Sequence, residues 1–360
     1  MIGIARASST YDLLATWRSQ TSDLQNQLNK ASLEVATGLK ADVYKSLGFH
    51  SSEVLALRMQ LNRNDEIISS NEFLANKLDF TSLTLEGIRD ITQDFLGIAT
   101  SNANVPTTSA KGLQEAALAA FEQLVGQLNS TFQNTALFSG IDSSQTSLQK
   151  WEGVNASTGL SPSDVLASVV GSGLTDATDA AQKVSLIQDI FKSSDTVSPN
   201  RNFEATFYNG SPLLQPGGSA TPRLQSQIDK NTTLSYGIQA NDPAFTEILR
   251  GLSMIATMDV SKIPDGEAYE VWMGNAVSAL SNGVTGLITV EANLGSQQKS
   301  LDERISAQKN LGDVFNSRIS GLEGVDLYEA SSRILLLETQ LQATYTVTSR
   351  LSKLTFLNFL

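Results

Sequence analysis

The sequence contains no cysteine. This absence excludes disulfides, thiolate nucleophiles and metal sites built on cysteine ligands. Basic charge is also scarce, because 25 lysine and arginine residues stand against 37 aspartate and glutamate residues, for a net charge of -12. A nucleic-acid-binding protein needs a basic surface to contact phosphates. We therefore expect no nucleic-acid partner.

Long apolar runs are absent as well. The longest run of leucine, isoleucine and valine residues is Ile334 to Leu337, whereas a membrane-spanning helix needs about 20 apolar residues. The first residues are interrupted by Arg6, Asp12 and Arg18 and lack an apolar signal-peptide core. We expect no membrane insertion and no cleaved signal peptide.

Residues that could carry catalysis are sparse. His50 is the sole histidine, and no nucleophile or carboxylate partner is indicated near it, so a surface or packing role is favoured. Asp176 and Asp179 could bind a metal ion, but they lack EF-hand spacing, and a solvated loop is favoured. The Asn155 sequon is treated as a chance match, and no phosphate-binding glycine-rich loop is present. The sequence predicts no enzyme, no cofactor and no metal site.

The strongest pattern is a heptad repeat near the C-terminus. From about Glu267 to Leu322 there is no proline, which predicts one long helix ending near Gly321 and Gly324. Spacings of four and three alternate through Leu280, Val284, Leu287, Glu291, Leu294, Gln298, Leu301, Ile305, Gln308, Gly312, Phe315, Ile319 and Leu322. This spacing is typical of a coiled-coil seam with polar interruptions.

The N-terminal third shows the same kind of pattern. A first seam runs through Leu14, Trp17, Thr21, Leu24, Leu28, Ala31 and Val35 and ends at Gly38. A second proline-free stretch from about Ser52 to Asn102 continues it through Leu57, Leu61, Ile68, Leu78, Leu85, Ile88 and Phe95. After Pro106 another helix is predicted through Leu113, Ala117, Leu124 and Leu128.

The middle of the chain is rich in turn signals such as "YNGSP" and "QPGGSATP". Phe203, Ala205 and Phe207 alternate with polar residues before an Asn-Gly pair, which predicts a strand entering a hairpin. "TPRLQSQID" and "TTLSYGIQA" predict two more strands. Asp242 and Pro243 predict the start of a short helix.

These patterns predict a mainly α fold. Long N- and C-terminal helices pack as a coiled-coil bundle, with the termini side by side, around a central α+β or β-rich insertion. The predicted domains are a terminal coiled coil (1–38 and 325–360), a helical bundle (39–140 and 245–324) and a central outer β-rich domain (141–244).

The chain ends on "SRLSKLTFLNFL", an apolar segment where termini are ordinarily polar and frayed. Burying these side chains within the monomer recovers less free energy than ordering the last helix costs. We therefore expect copies of the chain or a partner groove to cover this segment.

The C-terminal residues resemble those of a known family. Its members share a Val-Asp start, a Thr-Gln-Leu-Gln-Ala-Ser/Thr-Tyr core, a Leu-Ser-x-Leu segment and a Leu-Asn-Tyr/Phe-Leu ending. The counterparts here are Val325 and Asp326, Thr339 to Tyr345, Leu351 to Leu354, and Leu357 to Leu360. The chain resembles the flagellar hook-filament junction proteins, also called hook-associated protein three, of the flagellin superfamily.

The N-terminal side is similar to the same family. Leu28 to Arg58 resembles its helix, Thr-Gly turn and second helix, and Thr135 to Gly140 resembles the Leu-Phe-Ser/Gly-Gly stretch that leaves its helical core. One departure is Lys45 to Glu53, where many relatives carry an Asp-Asp-Pro turn. The resemblance covers roughly the first 140 and the last 115 residues.

The resemblance implies a structural subunit of the bacterial flagellum. Such a subunit is exported by the flagellar type III pathway without a cleaved signal and forms a closed ring of about eleven copies between hook and filament. Implied partners are further copies, the hook-side junction protein, flagellin and an export chaperone at the C-terminal helix. The residues expected at subunit interfaces are Leu14, Trp17, Leu24, Leu28, Leu341, Tyr345, Leu351, Leu354, Phe356, Leu357, Phe359 and Leu360.

Three alternatives remain open from the sequence. The first is a filament flagellin, which would polymerise without limit. The second is a cytoplasmic coiled-coil signalling scaffold, for which a membrane anchor or a kinase-coupling tip is missing. The third is an enzyme, whose turnover would have to depend on His50.

Overall fold

The computed structural model describes residues 10–104 and 108–357, and the side chains of residues 15–104 and 110–350. Nine α-helices lie in this part of the chain: α1 (Thr10–Thr37), α2 (Val43–Leu47), α3 (Ser51–Ser101), α4 (Leu113–Leu128), α5 (Pro162–Val170), α6 (Ala177–Phe191), α7 (Pro243–Ala256), α8 (Gly266–Glu323) and α9 (Leu327–Leu357). Two antiparallel hairpins complete it: β1 (Thr131–Phe132) with β2 (Thr135–Ala136), and β3 (Gln225–Asp229) with β4 (Thr232–Ser235).

The chain divides into two compact units. Unit 1 comprises Met1–Glu66 and Ala307–Leu360, and unit 2 comprises Ile67–Ser306. Helices α3 and α8 contribute residues to both units. The domain boundaries predicted from the sequence remain a prediction.

The predicted heptad seam of α8 is confirmed. Every seam position from Leu280 to Leu322 is buried or half-buried, and Leu287, Leu294 and Leu301 are at most 1% exposed. The predicted helix ends are correct to within one residue, except that Gly321 lies inside the helix. In unit 2 this seam joins a large hydrophobic core that includes residues of α3, α4 and α7.

The predicted adjacency of the chain's two ends is also confirmed, because α1 packs against α9 within unit 1. Helix α1 ends where expected: Gly38 adopts a φ of +69°, a left-handed conformation that favours glycine. The mainly α architecture with a small central insertion is therefore the observed fold.

The strand predicted at Phe203–Phe207 is wrong, because these residues form one turn of π-helix. The rings of Phe203 and Phe207 stack with centroids 5.4 Å apart, and Phe191 contacts both. In a strand, residues four apart would be separated by about 13 Å. Tertiary packing of aromatic rings thus overrides a short alternating pattern.

Other predictions for the middle are confirmed. The two strands predicted after Thr221 form the β3–β4 hairpin. Asp242 precedes α7 and Pro243 begins it, although the Asp242 carboxylate bonds Arg223 and the Gln239 N–H instead of capping the helix. Helices α5 and α6 were not predicted.

Candidate subunit interface

Helices α1 and α9 each use one heptad stripe to pack within unit 1. On α1, the buried or half-buried positions include Trp17, Thr21, Leu24, Leu28, Ala31 and Val35. On α9 they include Ala330, Ile334, Leu337, Leu341, Thr344 and Thr348. Alternating spacings of four and three on both helices are those of a two-helix seam.

Five of the predicted interface residues lie along this seam or at its edge. Trp17, Leu24 and Leu28 are half-buried, and Leu341 is 7% exposed. Tyr345 is 49% exposed, and its hydroxyl accepts a hydrogen bond from Gln25 Nε2 at 2.7 Å. That a second copy contacts these residues remains a prediction.

The other predicted interface residues lie outside the side chains that the structure describes. They are Leu14, Leu351, Leu354, Phe356, Leu357, Phe359 and Leu360.

A second, exposed set of apolar side chains on α9 was missed by the sequence analysis. Leu335 is 66% exposed, Leu336 is 57% exposed, and Val347 is also exposed. These side chains lie outside the α9 stripe that packs against α1. The run from Ile334 to Leu337 is the signal that could have revealed it. Because successive helical residues are rotated by about 100°, four consecutive aliphatic residues cannot all face α1.

The connections at the ends of α1 and α8 pair as a short antiparallel ribbon. Lys40 N–H donates to the Glu323 carbonyl at 2.9 Å, and Val325 N–H donates to the Gly38 carbonyl at 3.0 Å. At Gly324, a Cβ would lie 2.6 Å from the Ser320 carbonyl oxygen, so only glycine fits.

An ion pair with a buried carboxylate and a half-exposed arginine lies beside this ribbon. The Glu323 side chain is 4% exposed, and Arg58 Nη2 donates to its two carboxylate oxygens at 2.7 and 2.8 Å. The hydrogen bonds from Arg58 and the negative charge of Glu323 raise the pKa of Arg58. On the other side, Glu34 accepts from Ala41 N–H and from Arg333 of α9.

His50, the one candidate for catalysis, lies in an exposed side-chain contact with Glu53. Its Nδ1 lies 3.1 Å from Glu53 Oε2, and Arg318 donates to Glu53 Oε1 at 2.9 Å. The hydrogen bond from Arg318, and to a smaller extent the one with His50, lowers the pKa of Glu53. This surface network contains no hydroxyl or thiol nucleophile.

The other candidates have structural roles. Asp176 caps α6 by accepting from Thr178 and Asp179 N–H groups, each at 2.9 Å, and Asp179 pairs with Lys183. Asn155 is 5% exposed and donates to the Thr206 carbonyl. No group of three or more histidine, aspartate or glutamate residues in the described ranges could hold a metal ion.

Unit 2 carries one exposed aromatic cluster of its own. Phe132 of the β1–β2 hairpin contacts Phe73 and Phe80 of α3, with ring centroids 5.5 and 6.1 Å away, and both α3 rings are exposed. The hairpin turn at Gln133 and Asn134 has positive φ at both residues, as type I′ turns require.

None of the described helices combines the length and the apolarity that crossing a membrane requires.

No curated protein sequence matches the chain significantly. Among solved structures, one from Vibrio parahaemolyticus, described as a flagellar hook-associated protein, is similar at a TM-score of 0.51 and 12% identity. That alignment covers 76% of this chain and 97% of the other. At this identity it supports the fold alone.

Two regions of one known protein family match the two ends of the sequence. Residues 9–143 match the bacterial flagellin N-terminal helical region, and residues 277–360 match the bacterial flagellin C-terminal helical region. Together these regions cover more than half of the chain. They contain α1 and α9, which pair in unit 1, together with α3 and all but the first eleven residues of α8. The chain is a structural flagellar protein and belongs to the flagellin superfamily.

Proposed function

We propose that the chain is the junction subunit between the flagellar hook and filament. Copies form a closed ring of about eleven subunits, in contact with a hook-side junction protein on one side and flagellin on the other. The subunit reaches its site by flagellar type III export, without a cleaved signal, and works outside the cell without catalysis.

The observation that carries the assembly role is the exposed apolar face of α9. Leu335, Leu336 and Val347 remain exposed although α9 already packs against α1 through its seam. A monomer gains nothing from exposing aliphatic side chains, whereas a neighbouring helix that covers them removes their apolar area from water. Helix-to-helix packing between copies would use them directly.

The junction role, in preference to a filament flagellin, is supported by the sequence of the C-terminal segment. The Val325–Asp326 start and the Leu-Asn-Phe-Leu ending resemble junction proteins. The same helix would bind an export chaperone before assembly, because its exposed apolar face needs cover in the cytoplasm.

A deletion strain tests the proposal. Loss of a junction protein leaves hooks without filaments, and an epitope-tagged copy should restore filaments and label one band at the hook-filament boundary. Labelling along the entire filament, with many copies for each hook, would instead identify a filament flagellin. A deletion that leaves filaments and swimming unchanged would contradict both roles.

The chaperone contact has its own test. A pull-down from bacterial lysate with the full chain should recover a helical export chaperone, and Leu336→Ser should weaken that recovery. The matched control is Leu186→Ser, which changes an exposed leucine of α6 in unit 2. Equal recovery by both variants would contradict a contact through α9.

A further inference from the structure

A short hydrogen-bonded ribbon joins the terminal helix pair of unit 1 to the end of α8. The ribbon between the α1–α2 and α8–α9 connections forms two main-chain hydrogen bonds, and Lys40 Nζ adds a third bond to the Leu322 carbonyl at 2.9 Å. Since α8 ends at Glu323 and α9 begins at Leu327, three residues separate the two helices. Contacts at Glu323 therefore determine how firmly α9 and its partner α1 are held.

Glu323 bonds to two different segments at once. Its carbonyl oxygen accepts from Lys40 N–H of the α1–α2 connection, while its carboxylate accepts from Arg58 of α3. The carboxylate is almost fully buried, so without Arg58 it would be a buried charge lacking its partner. Turning outward to water would relieve that charge, and the carboxylate belongs to the same residue whose carbonyl accepts the ribbon bond from Lys40.

We propose that the Arg58–Glu323 pair is a latch that keeps the α1–α9 pair docked on the end of α8. With the latch closed, the ribbon holds and the first turns next to it stay ordered. With the latch open, the ribbon separates, and the adjoining ends of α1 and α9 lose their anchor while α3 and α8 keep their own contacts. The latch acts within the free chain, so it does not depend on the junction role.

A second ion pair between the same two helices provides an internal comparison. Arg318 of α8 bonds Glu53 of α3 at 2.9 Å, but both side chains are exposed, at 65% and 36%. Within the described ranges neither side chain bonds the ribbon. Exposed ion pairs contribute little. Removing this pair should therefore leave the terminal helices unaffected.

Hydrogen exchange measured by mass spectrometry on the full chain tests the latch. Arg58→Met should accelerate exchange of residues 28–37 and 327–337 by about tenfold or more, while residues 280–301 in unit 2 stay unchanged. Glu323→Gln should act in the same direction, because a neutral amide cannot hold the bidentate contact with arginine. The control Arg318→Met should stay within about twofold of the unmodified chain.

Two results would overturn the latch. One is exchange in Arg58→Met that matches the unmodified chain at residues 28–37 and 327–337. The other is an equal acceleration in residues 51–66 of α3, which would show general destabilisation of unit 1. If Arg58→Met fails to fold, Arg58→Lys serves instead, because it keeps the charge and loses the bidentate geometry, so an acceleration confined to the same two segments is expected.

Discussion

The two units bury their apolar residues to very different extents. Unit 2 contains the whole hydrophobic core that runs from Leu74 to Ile305. Unit 1 has half as many residues, yet its buried hydrophobic side chains in the described ranges are seven: Ala31, Leu47, Val54, Ile319, Ala330, Leu337 and Leu341. Of the 24 exposed large hydrophobic residues among the described side chains, 14 belong to unit 1.

The charges of the two units differ just as clearly. Unit 1 has twelve basic and twelve acidic residues, so it is neutral. Unit 2 has 13 basic and 25 acidic residues and carries the whole net charge of -12. A neutral surface with exposed apolar side chains can pack against copies of itself, whereas an acidic surface repels its copies and favours solubility. The comparison supports our proposal that unit 2 provides folding stability and unit 1 provides the assembly surface.

The largest expected effect on stability comes from a charge in the core of unit 2. Leu294 is 1% exposed, so Leu294→Asp buries a carboxylate without a partner and should cost several kcal/mol. Thermal melts should show loss of the main cooperative transition. Ser219→Asp, in the exposed "QPGGSATP" turn, is the control and should melt like the unmodified chain. Equal melting of both variants would disprove the α8 seam.

A smaller effect is expected in the terminal pair. Leu341→Ala truncates a buried side chain on α9 and should lower the free energy of unfolding by about 2 kcal/mol. This value is at the low end of the range for a buried leucine, because a single helix covers Leu341. Hydrogen exchange should rise in α1 and α9 and stay constant in unit 2. Faster exchange in both units would show that their stabilities are coupled, which would contradict the independence of the two units.

The pH dependence of unit 2 gives a third test. The N–H groups of Ser198 and Val197, together with Arg201, hold the pKa of Asp195 below its ordinary value. Its stabilisation is therefore complete above the unfolded pKa of about 3.9 and is lost as the pH falls through the lower folded value. Asp195→Asn should be less stable than the unmodified chain at pH 7 by about 1 to 2 kcal/mol, and urea titrations should show this gap closing below pH 4. A constant gap would contradict the assigned contacts.

The smallest effect on stability should come from the exposed face of α9. Leu336→Ser should change the free energy of unfolding by no more than about 0.5 kcal/mol, yet reduce filament formation in a deletion strain. Leu186→Ser, a similar change on the surface of unit 2, should leave filaments normal. Normal filaments with Leu336→Ser would show that Leu336 does not contribute to the subunit interface.

The sequence predicted the parts of the fold that repeat over many residues. The heptads of α8 predicted its buried face, because a seam sustained over many turns has one amphipathic solution. The lack of proline and the glycines near its end predicted its bounds. Helix α6 was missed although its signals were present, since Asp176 and Asp179 were interpreted as a loop and are the cap and first turn of the helix. The π-helical turn at Phe203–Phe207 depends on the distant Phe191, which a local pattern cannot indicate.

The candidate site was predictable only in part. The seam of α1 was predicted from its spacing, and its positions Leu24 and Leu28 are half-buried. The seam of α9 was not predicted, and Leu341 was named only as a subunit-interface residue, which stays a prediction. The Arg58–Glu323 pair could not be predicted, because 265 residues separate its members and neither belongs to a motif. The exposed leucines of α9 were visible in the sequence as one aliphatic run, but their exposure depends on which face α1 covers.

The most direct test of the comparison is a chain truncated before Thr339, which removes the C-terminal half of the described α9 seam (Leu341, Thr344 and Thr348) and Val347 of the exposed face. Circular dichroism melts and filament formation in a deletion strain are measured on the same variant. Because the core of unit 2 lies within residues 67–306, we predict that its cooperative unfolding transition survives while no filaments form. Intact filaments from the truncated chain, or loss of the unit 2 transition, would contradict the division between an assembling unit 1 and a self-sufficient unit 2.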